Sequence, residues 1–257
     1  MFNRIFIVGY GRLGSALAKQ ISYCGIQLSG VVIRNNHQVM PFPVFSDTQT
    51  LRENLITGDA VFLTVPDSQI YDLAAAFDLP GITVLHCSGA TEIFKSKHCF
   101  SGVFYPLMTF NNSNKGYNWS EIPVFLESGD EYTMNHLKSF CAQIAILNIH
   151  RIDSHQRQKI HVSAVIANNM IQALYAASAK YLHENDLPSE VLLPILHKMS
   201  DSWGAADPIQ SLTGPMVRGD MKTISLHEHL LETYPELLAV YRDMNKLIVQ
   251  LLEKSGN

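Results

Sequence analysis

Cysteine is scarce. The 257 residues hold four, Cys24, Cys87, Cys99 and Cys141, and none belongs to a C-x-x-C pair. A chain this long and apolar has no need of covalent staples, so a disulfide scaffold and a thiolate metal centre are both excluded and the thiols read as reduced. Basic excess is lacking too: 19 Lys and Arg stand against 23 Asp and Glu, a net charge of −4. Nothing here could neutralise a phosphate backbone, so nucleic acid is not an expected partner. Long apolar runs are also missing. The first, Ile5–Val8, comes directly after Met1-Phe2-Asn3-Arg4 and is too short for the core of an export signal, and no later run approaches a membrane span. The expectation is a cytoplasmic chain with no membrane contact. The 11 histidines are scattered without metal-ligand spacing, so no metal is expected.

What is present is a globular composition, 47% hydrophobic and 16% charged. Short continuous apolar runs alternate with amphipathic stretches through the first half. Strands are expected at Ile5–Val8, Leu28–Ile33, Pro43–Phe45, Ala60–Val65 and Thr83–Cys87, then at Gly102–Tyr105 and Val124–Glu127. Helices are expected at Leu13–Tyr23, Thr48–Leu55, Gln69–Phe77 and Tyr132–Ile144. Continuous apolar strands separated by helices imply a parallel sheet covered on both faces. Beyond Arg151 the strand signals stop, and helical patterns run over 154–184, 188–200 and 225–253, the last interrupted at Pro235. The expected fold class is α/β, a doubly wound parallel sheet over 1–153 followed by a smaller all-helical domain over 154–257.

The first strand leads straight into Gly9-Tyr10-Gly11-Arg12-Leu13-Gly14 and then a helix. A G-x-G-x-x-G pattern carries weight when a strand precedes it and a helix follows, as here. Gly9 allows the tight turn, Gly11 lets a pyrophosphate approach the backbone, and Gly14 lets helix and strand pack closely. The free N–H groups and positive end of the helix then hold phosphate. This is the dinucleotide loop of a Rossmann domain, and all six residues are candidate cofactor contacts. The blander alternative is a glycine turn that only closes a βα unit.

Cofactor choice is expected at the end of the second strand. NAD sites place an Asp or Glu there for the ribose 2′-hydroxyl. This chain has Ile33-Arg34-Asn35-Asn36, without a carboxylate. Arg34 and Asn35 suit a 2′-phosphate, through charge-assisted bonds, so NADP is the expected cofactor. An exposed turn would also use Asn.

With these residues stand Leu63-Thr64-Val65-Pro66-Asp67, His86-Cys87-Ser88-Gly89-Ala90, Gly102-Val103-Phe104-Tyr105-Pro106-Leu107, His161 with Asn168, and Leu212-Thr213-Gly214-Pro215-Met216-Val217-Arg218-Gly219-Asp220. Together they resemble the 6-phosphogluconate dehydrogenase-like superfamily, which includes 3-hydroxyisobutyrate dehydrogenase, pyrroline-5-carboxylate reductase and ketopantoate reductase. More closely, the chain resembles Rossmann-like proteins whose C-terminal half is called domain of unknown function 2520. The resemblance implies an NADP-dependent oxidoreductase acting on a small carbonyl, imine or hydroxy-acid compound.

Ligands of open parallel sheets bind beyond the carboxyl ends of the strands. In the related enzymes the segment matching Val65-Pro66 passes along the nicotinamide ribose, which makes those two residues candidate cofactor contacts. Ser88, ending the fifth strand, is a candidate substrate residue, since its hydroxyl and the following N–H groups could cradle a carboxylate; a strand cap is the alternative. His161 and Asn168 are seven apart, two turns along one face of an apolar helix. His161 is the candidate proton donor and Asn168 the residue that orients substrate, unless both are core polar groups. One departure stands out. The hydroxy-acid enzymes carry a Lys four residues before this Asn, and here that position is Ala164. This keeps open a second reading, a non-catalytic NADP(H) sensor or interaction protein. Cys87 and Cys141 read as small buried residues. Arg218 and Asp220 read as a helix cap, a subunit contact or an anion contact. A helix with few charged faces predicts burial against a second copy in a homodimer.

Overall fold

The computed structural model describes residues 1–33, 39–111, 116–203 and 207–254, so the expected cofactor contacts Arg34 and Asn35 lie outside the described residues. The described chain forms two compact units, Met1–Asn168 and Asn169–Asn257.

The first unit is a doubly wound Rossmann-like sheet. In chain order it comprises β1 (Ile5–Val8), α1 (Arg12–Tyr23), β2 (Gly30–Val32), β3 (Val44–Phe45), α2 (Thr48–Asn54), β4 (Ala60–Leu63), α3 (Ile70–Ala76), β5 (Thr83–His86), β6 (Phe100–Pro106), β7 (Val124–Ser128), α4 (Glu131–Gln143), β8 (Ile149–Arg151) and α5 (Ser154–Ala164). The strands lie in the order β3-β2-β1-β4-β5-β6-β7-β8. Alternation along the strands divides the core. Ile5, Ile7 and Phe62 face α1 and α4 with Leu17, Ile21 and Phe140, while Phe6, Val8, Val61 and Leu63 face α2 and α3 with Leu51, Ile70 and Ala74. Both faces are covered, which is why these strands read as unbroken apolar runs.

One pairing departs from the all-parallel expectation. β7 runs antiparallel to β6, with Val103 opposite Glu127 and Tyr105 opposite Phe125. No helix occurs among the described residues between them, and parallel neighbours need a crossover whereas a returning loop gives an antiparallel pair. α4 is such a crossover, and it returns the chain to a parallel β8, a three-residue strand with no sequence signal of its own.

The helical pattern expected over 154–184 is interrupted. α5 passes into a π-helix, Val165–Met170, before α6 (Ile171–Glu184) resumes. Strand signals do end near Arg151, but compact packing carries α5 with the sheet as far as Asn168, because side chains on α5 bond to β7 and to the chain beyond β5.

The second unit is helical, with α6, α7 (Leu193–Ser202), α8 (Met221–Leu230) and α9 (Pro235–Lys254). Among its described residues, Ile224 is the buried hydrophobic side chain, and Leu187, Val191, Ile195, Leu230, Val240 and Met244 are exposed. No described helix is long and apolar enough to cross a membrane.

Candidate functional site

The glycine loop sits at the carboxyl end of β1. Gly9 has φ +94, a left-handed conformation that its missing side chain permits. Its N–H donates to the Val32 carbonyl at 3.2 Å, and its carbonyl accepts from the Thr64 hydroxyl at 2.6 Å, so β2 and β4 both hold the turn. A methyl group on Gly14 would run into the Gly9 carbonyl and Thr64, so α1 meets the strand only through glycine. Among the described residues, and apart from its own chain neighbours, nothing lies within 4 Å of the position a methyl would take at Gly11. The loop is tight where it packs and open where a ligand would approach.

The start of α1 completes this cradle. α2, α4, α5 and α8 each begin with an Asp whose side chain accepts a backbone N–H of the first turn. α1 begins at Gly11 with no side-chain cap and no acid in its first turn. Its first N–H groups and dipole end remain for an anion, and Arg12 lies exposed among them. Leu13 packs against the sheet core. Tyr10 stacks edge-on to Phe42 at 5.9 Å, and burial raises the pKa of its phenol. A methyl on Gly9 would also strike Val65, placing the ends of β1 and β4 side by side, with Pro66 exposed just beyond. The residues present therefore fit the diphosphate part of a dinucleotide.

β5 ends at His86, which is fully buried. Its Nδ1 accepts the Ser88 N–H at 3.2 Å, leaving the ring proton on Nε2. Burial, with the nearby Arg157 charge adding to it and the Glu92 carbonyl opposing, pushes its pKa down to about 3. His86 is thus neutral in the folded chain, while the unfolded chain binds a proton below about pH 6.5. Its contribution to stability is complete above that pH and drains away as pH falls toward the folded value. At 1.36 kcal/mol per pH unit, about 2 kcal/mol is lost between pH 6.5 and 5. Urea unfolding at pH 7 and 5 should show this extra acid sensitivity in the parent and not in His86→Leu; equal slopes would mean the ring is protonated where it sits.

Ser88 is buried, and its Oγ accepts the N–H groups of Ala90 at 3.0 Å and Thr91 at 2.9 Å. The N–H groups of Ala90 and Thr91 that the sequence reading offers to a substrate carboxylate therefore bond to the Ser88 hydroxyl itself. Ser88 organises this turn, and Gly89 follows it against α5. A methyl on Gly89 would collide with the His161 imidazole and the Tyr105 ring.

His161, on α5, places Nδ1 3.0 Å from the Tyr105 hydroxyl, with the two rings edge to face. Tyr105 is buried near the end of β6; burial raises its pKa, the Arg157 charge opposes this and Asp67 adds to it. Asn168 lies in the π-helix, and its side-chain amide donates to the Thr109 hydroxyl at 2.8 Å. Single π-turns within helices often mark functional sites. The sequence marks Tyr105-Pro106-Leu107 as a motif but gives Tyr105 and Thr109 no role of their own. The available signal was a phenol at the carboxyl end of an otherwise apolar strand.

Beneath this turn lies Arg157, fully buried on α5. Nη1 donates to the carbonyls of Ser88 at 2.8 Å and Thr91 at 2.7 Å. Nη2 meets Glu127 at 2.9 Å and the Ser154 hydroxyl at 3.1 Å. Ser154 in turn donates to Glu127 at 2.7 Å and accepts the Ile93 N–H at 3.2 Å.

Other candidates resolve simply. Cys87 and Cys141 are buried free thiols, their pKa values raised by desolvation, to about 12 for Cys141. Asp220 caps α8 through Thr223, whose side-chain bond is the main cause of its lowered pKa. Lys159 is exposed. No cluster of metal-ligating side chains occurs among the described residues.

Residues 122–248 match a family described as a domain of unknown function, DUF2520. No curated protein matches the chain in sequence. Among solved structures, a Bacteroides fragilis protein provisionally described as an NADP oxidoreductase is 24% identical, with 95% of this chain and 97% of that one covered and a TM-score of 0.84. A Thermotoga maritima protein is 23% identical over 98% of this chain and 100% of that one, with a TM-score of 0.71. Plasmodium falciparum pyrroline carboxylate reductase, solved with NADP bound, is 12% identical over 96% and 99%, with a TM-score of 0.59. At these identities the likeness is one of fold.

Proposed function

We propose that the chain is an NADP-dependent oxidoreductase that moves a hydride to or from a small carbonyl, imine or hydroxy-acid substrate. The observation that carries this reading is a shared edge. β1, β4, β5 and β6 run parallel, so their carboxyl ends bring the glycine loop, Val65-Pro66, the Ser88 turn and the Tyr105–His161 pair to one side of the sheet. Ligands of doubly wound sheets bind at that side. The solved neighbours that bind NADP or NADPH, among them a reductive aminase from Aspergillus terreus, support the cofactor and the reaction class.

Gly9, Tyr10, Gly11, Arg12, Leu13 and Gly14 would hold the dinucleotide, with Val65 and Pro66 along its ribose and Arg34 and Asn35 on the 2′-phosphate. The bound cofactor supplies or accepts the hydride. His161 supplies the proton. With Nδ1 bonded to the Tyr105 hydroxyl, its Nε2 is the atom left to exchange a proton with the substrate's oxygen or nitrogen. Asn168, steadied by Thr109, orients the same substrate atom. Ala164 in place of the relatives' Lys favours one other reading, a protein that binds NADP(H) without turnover. Screening small carbonyls and imines for NADPH oxidation by absorbance decides between the two.

Two results are expected besides. NADPH should bind about ten to a hundredfold more tightly than NADH, the worth of one charge-assisted phosphate contact, and Arg34→Asp should erase the difference in calorimetry. Equal affinities in the parent would refute the 2′-phosphate contact. The helical unit, with so little of its apolar surface buried, should be covered by a second copy of the chain in a two-fold homodimer. Sedimentation at micromolar concentration should give twice the chain mass, and a monomer would count against it.

A further inference from the structure

Buried arginines are rare, and Arg157 spends its donors in an unusual way. A bond to Glu127 alone would tie α5 to β7. Instead Nη1 is given to two carbonyls, Ser88 and Thr91, which bracket Gly89. Its neighbours on the helix act on the same turn. Gln158 donates to the Ala90 carbonyl at 2.9 Å, and Ser154 accepts from the Ile93 N–H at 3.2 Å. Residues 154, 157, 158 and 161 fall at the i, i+3, i+4 and i+7 spacing of a single helical face. That face therefore grips the turn over 88–93 with its first two turns and carries His161 on the next. Gly89 is pressed so close to His161 that no side chain fits between them.

We infer that Arg157 is a positioning residue: by clamping the 88–93 turn it fixes Gly89 against the imidazole and keeps His161 Nδ1 bonded to Tyr105. Arg157 reaches no substrate. It acts through the wall that stops the ring from turning, so that Nε2 alone is left to exchange a proton. Such locking of a reactive group by packed neighbours is what precise proton transfer requires. The inference rests on the proposed role of His161, but the geometry it predicts can be read without a substrate.

The test is ¹⁵N NMR of the His161 imidazole in the parent, Arg157→Lys and Tyr105→Phe proteins, with NADPH affinity and amide exchange measured on each. Lysine keeps a buried positive charge for Glu127 but lacks the fork that reaches two carbonyls. In Arg157→Lys, exchange at Ala90, Thr91 and Ile93 should quicken about tenfold, roughly the factor for one lost hydrogen bond. The His161 tautomer signals should move toward those of Tyr105→Phe, while NADPH affinity stays within about twofold, since the glycine loop is untouched. Faster exchange with an unchanged His161 spectrum would show a clamp that is only structural and overturn the inference. If Arg157→Lys does not fold, Gln158→Ala and Ser154→Ala each remove one tie, and an unmoved His161 spectrum in both overturns it equally. His161→Asn proteins that keep full turnover would remove the underlying proton role instead, leaving the NMR result standing.

Discussion

Replacing Arg157 by methionine is expected to lower the free energy of unfolding by about 3–5 kcal/mol, the usual cost of removing one partner from a buried ion pair. Methionine fills much of the volume of the arginine stem, so packing is nearly kept and the loss falls on the polar groups. Glu127 is 8% exposed and would be left with the Ser154 hydroxyl, on the sheet face that also carries Val103, Tyr105 and Phe125. The carbonyls of Ser88 and Thr91 would lose their donor as well. Removing Glu127 too should recover part of the loss, because the unpaired charge rather than the absent attraction is the larger cost. The double variant Arg157→Met/Glu127→Leu should therefore be more stable than the sum of the single changes, by about 1–3 kcal/mol of coupling. Urea unfolding of the three proteins measures this directly. A loss below about 1 kcal/mol in Arg157→Met would mean that water reaches the pair and that the network does not close α5 onto the sheet.

The same pair shows where sequence reading stops. Ile5–Val8 and Ala60–Leu63 were legible because strands buried on both faces must be apolar at every position. The glycine loop was legible because Gly9, Gly11 and Gly14 answer three separate steric demands at fixed spacing. Arg157, thirty residues from Glu127, looks in sequence like any solvated helical cation; its burial follows from β7 lying opposite β6, and no local pattern encodes that pairing. Tyr105 was hidden for the opposite reason. An aromatic ending an apolar strand reads as core, and only the partner 56 residues away gives its hydroxyl a use. His161 and Asn168 were singled out by their spacing of seven, yet the π-turn beginning at Val165 has no signature in the Val-Ile-Ala-Asn-Asn-Met run that forms it. Ser88 was read for its hydroxyl and adjoining amides, and the fold closes those groups on one another. Local rules thus reach the elements and the glycine loop, whereas the Ser88 turn and the Tyr105–His161 pair depend on contacts between distant segments.

Changing His161 to asparagine is expected to reduce turnover of any accepted substrate by about two to four orders of magnitude, the usual worth of general acid catalysis. Asparagine keeps a polar group near the Tyr105 hydroxyl but has no proton to give at neutral pH. NADPH affinity should be preserved, because the imidazole stands at the β5 and β6 ends while the diphosphate cradle is built from β1 and α1. Lost turnover with intact binding assigns the missing interaction to the transition state rather than to the ground state. Asn168→Ala should instead raise KM for the substrate more than it lowers kcat, since its amide orients and does not transfer. A structural role predicts another pattern. If His161 merely fills the space between Gly89 and Tyr105, the variant should melt several degrees lower, as core changes of about 1–3 kcal/mol do, and activity per folded molecule should barely move. The Tyr105→Phe variant separates the two further: it takes from Nδ1 its bond to the hydroxyl, so turnover should drop by less than in His161→Asn and its pH profile should shift, whereas a packing role for the pair would leave that profile where it was.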